Sequence, residues 1–440
     1  MLLATLLNYM DRQALPQTAT ELKERYHLGD ARYGLLEGWF SYAFAIGSVA
    51  FGLIADRFGP RRVYPVVLAG WSAAGLLTPL TGEAAVTGSF EGPDDAPGAG
   101  AFRWLLLCRT ALGFFEAGHW PCALLTARQI LSAADRPLGN GLLQSGASAG
   151  AILIPLYVRE VRHLGGEWGV VFWTVGAAGL LWVPVWLALV RPGALEGAPP
   201  PAADGAGGPG PRAVVRRVLV LAVVAGCLTV SWQFLRAWLP KYLKEFHHYS
   251  ADAADLAVAG YYVAAEVGCL LSGAVVRLLV GRGCGVHPAR VLTFAGYTAL
   301  TGLAGVVPFA GDGPVMMALL MAAGAGVLGL HPLYYALAQE LPARWMGVMS
   351  GVLSAGAWVM AGTVQTVLGA RIEATKSYDT GLAVAGLAPA VALAALALLW
   401  RPGGVPTPAS GESVPAESAP AGGVPTRPRA AGPSGTPPAR

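Results

Sequence analysis

The chain has 440 residues, a mean hydropathy of +0.51, 13% charged residues and a formal charge of +4. An ordinary water-soluble enzyme carries about twice that share of charge and is excluded. The small positive balance is no nucleic-acid footprint, because the basic residues sit in short loops between apolar runs.

Twelve apolar runs of about 20 residues follow one another, each long enough to cross a bilayer as a helix. They cover roughly 1–20, 33–55, 63–81, 102–124, 138–158, 168–190, 216–240, 253–280, 289–309, 314–338, 346–370 and 379–400. Backbone groups in lipid must pair within their own segment, so the reading is an all-α membrane protein of twelve transmembrane helices. The first run is short before its charges, Asn8-Tyr9-Met10-Asp11-Arg12. It lacks a basic n-region and a cleavage site, so it is not a signal peptide, and a start upstream of Met1 is expected.

The second run ends in GLIADRFGPRR, Gly52 to Arg62. Asp56 lies at a helix C-terminus, where the dipole disfavours a carboxylate. It requires a positive neighbour: Arg57, Arg61 or the N-terminus of another helix. Gly52 permits close approach of another helix, and Gly59-Pro60 enforces a tight turn before Arg61 and Arg62. The stretch resembles the loop between helices two and three of major facilitator superfamily transporters, where a Gly-x-x-x-Asp-Arg-x-Gly-x-Arg-Arg signature clamps two halves in one state. The connection 82–101, with Glu83, Glu91, Asp94 and Asp95, reads as a solvated insertion.

The fourth run, CRTALGFFEAGHWP, carries Arg109 and Glu116. Seven residues apart on a helix, they share one face about 10 Å apart. Ionisable groups inside spans are costly and default to functional candidates. A guanidinium holds an anion at any relevant pH, whereas Glu116 and Asp11 can gain or lose a proton as water and substrate come and go. The alternative is a structural ion-pair network fastening helices one and four, which Gly and Ser contacts would achieve at lower cost.

Residues 191–215 are rich in Pro, Gly and Ala and read as a linker. They separate a six-helix bundle at 1–190 from another at 216–400, with a disordered tail at 401–440. In the second half, SWQFLRAWLPKYL carries Arg236, either a third anion contact near the outer part of its helix or a side chain snorkelling to the interface. Glu266 is a further acid in a span. The expected second copy of the clamp, SGAVVRLLVGRGCGVHPAR at 272–290, lacks the acid and has Arg277 nearby. Helix ten is weakened by Gly324, Gly326, Gly329 and Pro332, as expected of a gate. Its Tyr334 and Tyr335 either pack on a sugar face or are membrane aromatics. Trp358 and Gln365 are weaker candidates. His119 and His331 are either proton relays or hydrogen-bonded core residues.

Arginines follow helices two, four, six and eight, whereas alternate loops are acidic or mixed. The positive-inside rule then places both termini and the linker in the cytoplasm. Cys108, Cys122, Cys227 and Cys269 lie in apolar runs and Cys284 in a loop, with no metal or disulfide spacing. No metal motif or nucleophile–base pair points to an enzyme. Only Lys23, Lys241, Lys244 and Lys376 are lysine among 30 basic residues, which suggests a high-GC bacterial genome and an inner-membrane location.

The Asn-Tyr-x-Asp-Arg of helix one, with Arg and Glu seven apart in helix four, resembles the anion:cation symporter family. GWFSYAFAIGSVAFGLIADRFG and LLCRTALGFFEAGHWPCAL resemble its hexuronate transporter branch, and the likeness spans about residues 1–400. It implies the major facilitator fold and proton-coupled uptake of small organic anions such as sugar acids, by a monomer without cofactor or metal. It also implies proton coupling at Asp11 and Glu116, coupling and substrate charge at Arg109, pathway roles for Tyr9 and Arg12, and a polar substrate contact at Gln144. Other readings of the sequence are a uniporter or exporter of another anion, or a transport-dead sensor.

Overall fold

Among the described residues there are thirteen long α-helices and one single α-helical turn, and no strand. The computed structural model describes residues 1–131, 136–191, 195, 211–339, 341 and 346–400. In chain order the helices are α1 (Leu2–Tyr26), α2 (Asp30–Phe58), α3 (Pro60–Leu77), α4 (Ala84–Thr87), α5 (Ala99–Glu116), α6 (His119–Ile130), α7 (Arg136–His163), α8 (Trp168–Leu189), α9 (Pro211–Lys241), α10 (Ala251–Gly281), α11 (Val286–Gly302), α12 (Pro314–Ala338), α13 (Met346–Thr375) and α14 (Asp379–Leu399). Apart from α4, with α5 and α6 taken as one, these are the twelve expected spans. Most of the expected linker and all of the expected tail, 192–194, 196–210 and 401–440, lie outside the described residues.

Three boundaries differ from the sequence reading. The first helix is not short: it runs 25 residues and stops at His27, whose φ of 52° is left-handed. Its last-turn Lys23 and Arg25 suit the negative end of the helix dipole. The fourth span is two helices, because Pro121 offers no N–H to the Ala117 carbonyl and the helix restarts after Gly118. The ninth helix begins at Pro211, inside the expected linker. Among the described residues, eight helices are long and apolar enough to cross a membrane by length and composition.

The pairing of helices repeats. In the first half α1 packs on α7, α2 on α5 and α3 on α8. In the second half α9 packs on α13, α10 on α12 and α11 on α14. Each pairing recurs six spans later, which makes two six-helix bundles of one design. The bundles meet along α2 with α13 and α7 with α10.

The apolar core is shared at one end and divided at the other. Toward the ends of α1 and α9 one cluster joins both halves, including Leu15, Leu22 and Leu36 with Leu235, Trp238 and Tyr262. At the end bearing the chain's first residue, each half has its own cluster. One holds Phe51, Tyr64 and Trp71, the other Leu221, Phe294 and Leu330. The halves are therefore closed together away from the termini and separated beside them.

Glycine makes the closed side tight. A Cβ on Gly34 of α2 would lie 2.7 Å from the Gln365 carbonyl oxygen and 2.8 Å from the Gly369 Cα of α13. Gly34→Leu is expected to cost about 1–3 kcal/mol by overpacking. It would be read as a lower midpoint in thermal unfolding of the detergent-solubilised protein. An unchanged midpoint would show that the crossing is not tight.

The connection 82–98 is folded rather than a bare solvated insertion. It contains α4 and a short 3-10 turn at Gly88–Phe90. Arg103 donates to Asp95 at 2.9 Å and to the Phe90 carbonyl at 2.5 Å. The guanidinium beside Asp95 holds its carboxyl below the usual range. These contacts give the loop's polar groups internal partners, which composition alone does not reveal.

Candidate functional site

Midway along the bundle, charged side chains converge where lipid would otherwise demand apolar ones. Arg12, on α1, donates from Nε to Glu116 Oε2 at 2.7 Å and from Nη2 to Asn8 Oδ1 at 3.2 Å. Its guanidinium carbon lies 4.8 Å from the Tyr9 ring centroid, 5.0 Å from Phe44 and 5.8 Å from Trp358 of the other half. Arg109, on α5, lies 4.3 Å over the Phe40 ring and donates from Nη2 to Glu37 Oε1 at 2.7 Å. The other Glu37 oxygen accepts from Arg236 Nη2 of α9. Arg236 Nε also donates to Gln233 at 2.9 Å. All three arginines and both glutamates are buried.

Proline shapes this cluster. Pro16 has no N–H, so the Arg12 carbonyl lacks its helical donor four residues on. Arg109 Nη2 supplies the missing bond at 3.2 Å. The second half repeats the spacing, with Pro240 four residues after Arg236. Arg12-Gln-Ala-Leu-Pro16 and Arg236-Ala-Trp-Leu-Pro240 occupy matching places in the two bundles.

Asp11 faces another way. It is 1% exposed, packs against α3 at Gly75, and both its oxygens lack a hydrogen-bond partner among the described residues. Several donors are likewise unpaired: Arg109 Nε and Nη1, Arg236 Nη1, Asn8 Nδ2, Gln13 Nε2, Gln17 Nε2 and Gln233 Nε2. Buried donors without partners are costly, and a polar ligand would satisfy them.

The structure thus gathers Tyr9, Arg12, Arg109, Glu116 and Arg236, with Asp11 beside them. Arg236 is not a snorkelling residue: it is 2% exposed and bonded to a buried carboxylate. Gln144 is half-buried on α7, and the rings of Tyr334 and Tyr335 lie 5.3 Å apart on α12. None of these three is bonded to the arginine cluster among the described residues. Glu266 accepts from Ser148 across the halves. Gln365 accepts from Trp238 at 2.6 Å and donates to the Gln233 carbonyl at 2.8 Å. His119 is a hydrogen-bonded core residue, with Thr5 at 3.0 Å and Tyr64 at 2.8 Å. His331 donates to the Val327 carbonyl at 3.0 Å.

Glu37 is the residue that the sequence reading passed over. The signal was present, since it is an acid inside an apolar run and the rule that selected Glu116 selects it too. The Arg-x-x-x-Pro repeat was also legible and was not used.

A second charged layer closes the end away from the termini. Lys23 Nζ lies 2.6 Å from Glu245 and 3.3 Å from Asp30. Lys241 Nζ lies 3.2 Å from Asp30 and 2.5 Å from Glu245. The four form a ring, two from each half. Glu245 sits in a π-helical turn, Tyr242–Phe246, that continues α9. Beside the ring, Arg162 pairs with Asp255 at 2.9 Å, which Lys244 also meets at 2.8 Å. Glu373 of α13 accepts from the Ala31 N–H at the start of α2 at 2.7 Å.

At the other end the GLIADRFGPRR segment is disengaged. Asp56, Arg57 and Arg62 are exposed, and a Cβ on Gly52 would meet no atom within 4 Å. The expected close approach at Gly52 is absent because the halves are apart there. Gly59, at φ 77°, makes the turn, and Arg61 donates to the Val190 carbonyl at 2.8 Å within its own half. Among the described residues, the ion pairs joining the halves lie in the central layer or at the closed end.

The sequence profile described as Major Facilitator Superfamily matches residues 1–366. A probable sulfoacetate transporter of Cupriavidus necator is 25% identical over 405 residues, covering 88% of this chain and 89% of the relative. A D-galactonate transporter of Escherichia coli is 26% identical over 400 residues, covering 82% and 85%. Among solved structures, a D-xylose–proton symporter superposes with a TM-score of 0.68 at 14% identity, covering 91% of this chain and 95% of that one. A bacterial homologue of the human lysosomal transporter Spinster, inward-facing and occupied, superposes with a TM-score of 0.64 at 19% identity, covering 91% and 97%.

Proposed function

This chain belongs to the Major Facilitator Superfamily, and we propose that it is a secondary active transporter coupling uptake of a small organic anion to protons. It is a multi-pass membrane protein and not an enzyme. The observation that carries the reading is the charge balance of the central layer. Arg12, Arg109 and Arg236 face Glu37 and Glu116, with Asp11 a third buried acid beside them. An incoming carboxylate or sulfonate adds a negative charge to a desolvated layer that is already compensated. Burying that charge uncompensated costs several kcal/mol. A proton arriving on Glu116 or Asp11 restores the balance.

Arg109 has free donors for the anionic head. The unpaired amides of Asn8, Gln13, Gln17 and Gln233 suit a hydroxylated body. Sulfoacetate and galactonate, the anions for which the two relatives are named, are both small anions of this kind, and sugar acids such as hexuronates share the chemistry. The halves 1–190 and 216–400 rock about this layer, with both termini on the cytoplasmic side. The protein works as a monomer in a bacterial inner membrane. Gln144, Tyr334 and Tyr335 join the substrate when the cavity closes on it. Asp56, Arg57, Arg61 and Arg62, with Gly52 and Gly59 permitting their approach, clamp the termini end in the opposite state.

The test is uptake of labelled D-galactonate, glucuronate and sulfoacetate into proteoliposomes, with and without an inward proton gradient. Glu116→Gln is expected to abolish accumulation driven by the gradient while counterflow persists, because glutamine mimics the protonated acid. Gradient-driven accumulation surviving in that variant would remove Glu116 from coupling. A second reading, uniport or export with the acids only pairing the arginines, is favoured by the 2.7 Å Arg12–Glu116 bond. Transport indifferent to the gradient in the unmutated protein would establish it.

A further inference from the structure

We propose that Glu37 is a tethered substitute for the transported anion, bridging Arg109 and Arg236 while the site is empty and so allowing the empty carrier to close and return. The inference rests on the transport reading and deepens it. Four observations support it.

Glu37 presents one oxygen to each half. Oε1 accepts from Arg109 of the first bundle and Oε2 from Arg236 of the second. A substrate carboxylate gripped between the bundles would make the same two contacts. The side chain is fully buried, so no water competes for those oxygens. The second half has no acid of its own for Arg236 on the helix that matches α5, because α12 (Pro314–Ala338) contains none. The first half does not share that lack: Arg12, the counterpart of Arg236, is held by Glu116 of α5. The compensation of Arg236 therefore crosses the gap between halves and must be made and broken as they rock. Lastly, Arg109 keeps Nε and Nη1 unpaired, two donors that a free carboxylate can take.

The cycle follows from these contacts. With the site empty, two guanidiniums buried without a counter-ion would oppose closure at a cost of several kcal/mol. Glu37 removes that cost, and its attachment to α2 gives it a high effective concentration at the arginines. An arriving anion takes the unpaired donors of Arg109 and competes with Glu37 for that guanidinium. The loaded carrier then closes on the substrate together with its proton, and the empty one closes on Glu37.

The experiment compares two modes in proteoliposomes of the full chain, with labelled D-galactonate and no proton gradient. Exchange needs only the loaded carrier to reorient, whereas zero-trans uptake also needs the empty one. Glu37→Gln should lower the ratio of zero-trans uptake to exchange by about tenfold or more, the scale of losing part of a buried charge pair. It should also tighten galactonate binding, because the internal competitor is gone. Glu37→Asp, whose shorter arm cannot span both arginines, should fall between. Ratios equal to the unmutated protein in both variants, with unchanged affinity, would overturn the proposal.

A substrate-free arm keeps the two readings apart. Spin labels at the exposed Leu53 and Leu278 report how far the halves separate at the termini end. The empty unmutated protein should show a short-distance fraction that empty Glu37→Gln lacks, and identical distributions would overturn the proposal. If the unmutated protein carries no galactonate in either mode, the substrate reading falls and this arm still decides the role of Glu37.

Discussion

Replacing Arg109 by glutamine should lower anion uptake by at least about a hundredfold, because breaking a buried charge pair costs about 3–5 kcal/mol and each 1.4 kcal/mol is tenfold. Three things are lost at once. Glu37 keeps only Arg236, the Arg12 carbonyl loses the donor that replaces the Pro16 N–H, and the two unpaired donors proposed for the substrate disappear. Lysine should not rescue the variant. Its single ammonium cannot reproduce a planar fork that serves a carboxylate and a carbonyl from one nitrogen and leaves two others free. The check is galactonate uptake and binding in Arg109→Gln and Arg109→Lys, with the melting profile as a control for folding. Uptake within about threefold of the unmutated protein in either variant would remove Arg109 from the binding layer.

The second large effect is expected at the closed end. Asp30→Asn with Glu245→Gln leaves Lys23 and Lys241 facing each other without an acid. Lys241 is 1% exposed, and its partner Asp30 is buried too. This ring therefore belongs with buried pairs rather than with surface bridges worth under about 1 kcal/mol. Removing both acids should shift the population toward opening at that end by about a hundredfold or more. Distances between labels on the ends of α1 and α9 would lengthen, and uptake would fall because the carrier no longer closes there. Unchanged distances would show that the shared apolar cluster alone holds this end. The single variant Lys23→Gln should do much less, since that side chain is 34% exposed and Lys241 still meets both acids.

Much of the architecture was legible because lipid imposes simple rules. Length and apolarity gave the spans, and ionisable residues inside them gave Arg12, Arg109 and Glu116. The same rule applied to the second run would have given Glu37, which was absorbed into the apolar stretch Tyr33–Ala55. Arg236 reads from the sequence either as an anion contact or as a side chain snorkelling to the interface. Its burial depends on Glu37, 199 residues away, and no local pattern encodes that contact. The ring at the closed end was harder still. Lys23, Asp30, Lys241 and Glu245 each read as an ordinary charge near a helix end, and only the packing of α1 and α2 beside α9 brings them together. The break after Glu116 was written in Gly118 and Pro121, but a continuous apolar run masked it. His119 was readable only as two alternatives, and the sequence does not reveal its two hydroxyl partners, Thr5 on α1 and Tyr64 on α3.

The bond from Arg109 to the Arg12 carbonyl has a mechanical consequence. A proline in a helix is a soft joint, and here the joint of α1 is splinted by a side chain whose other task is to grip an anion. Whatever draws that guanidinium toward a ligand removes the splint and leaves α1 freer to bend at Pro16. Under the proposed role of Arg109, recognition of charge and flexing of the backbone are thus worked by a single guanidinium, so a ligand too weakly charged to pull it would be held without setting the carrier in motion.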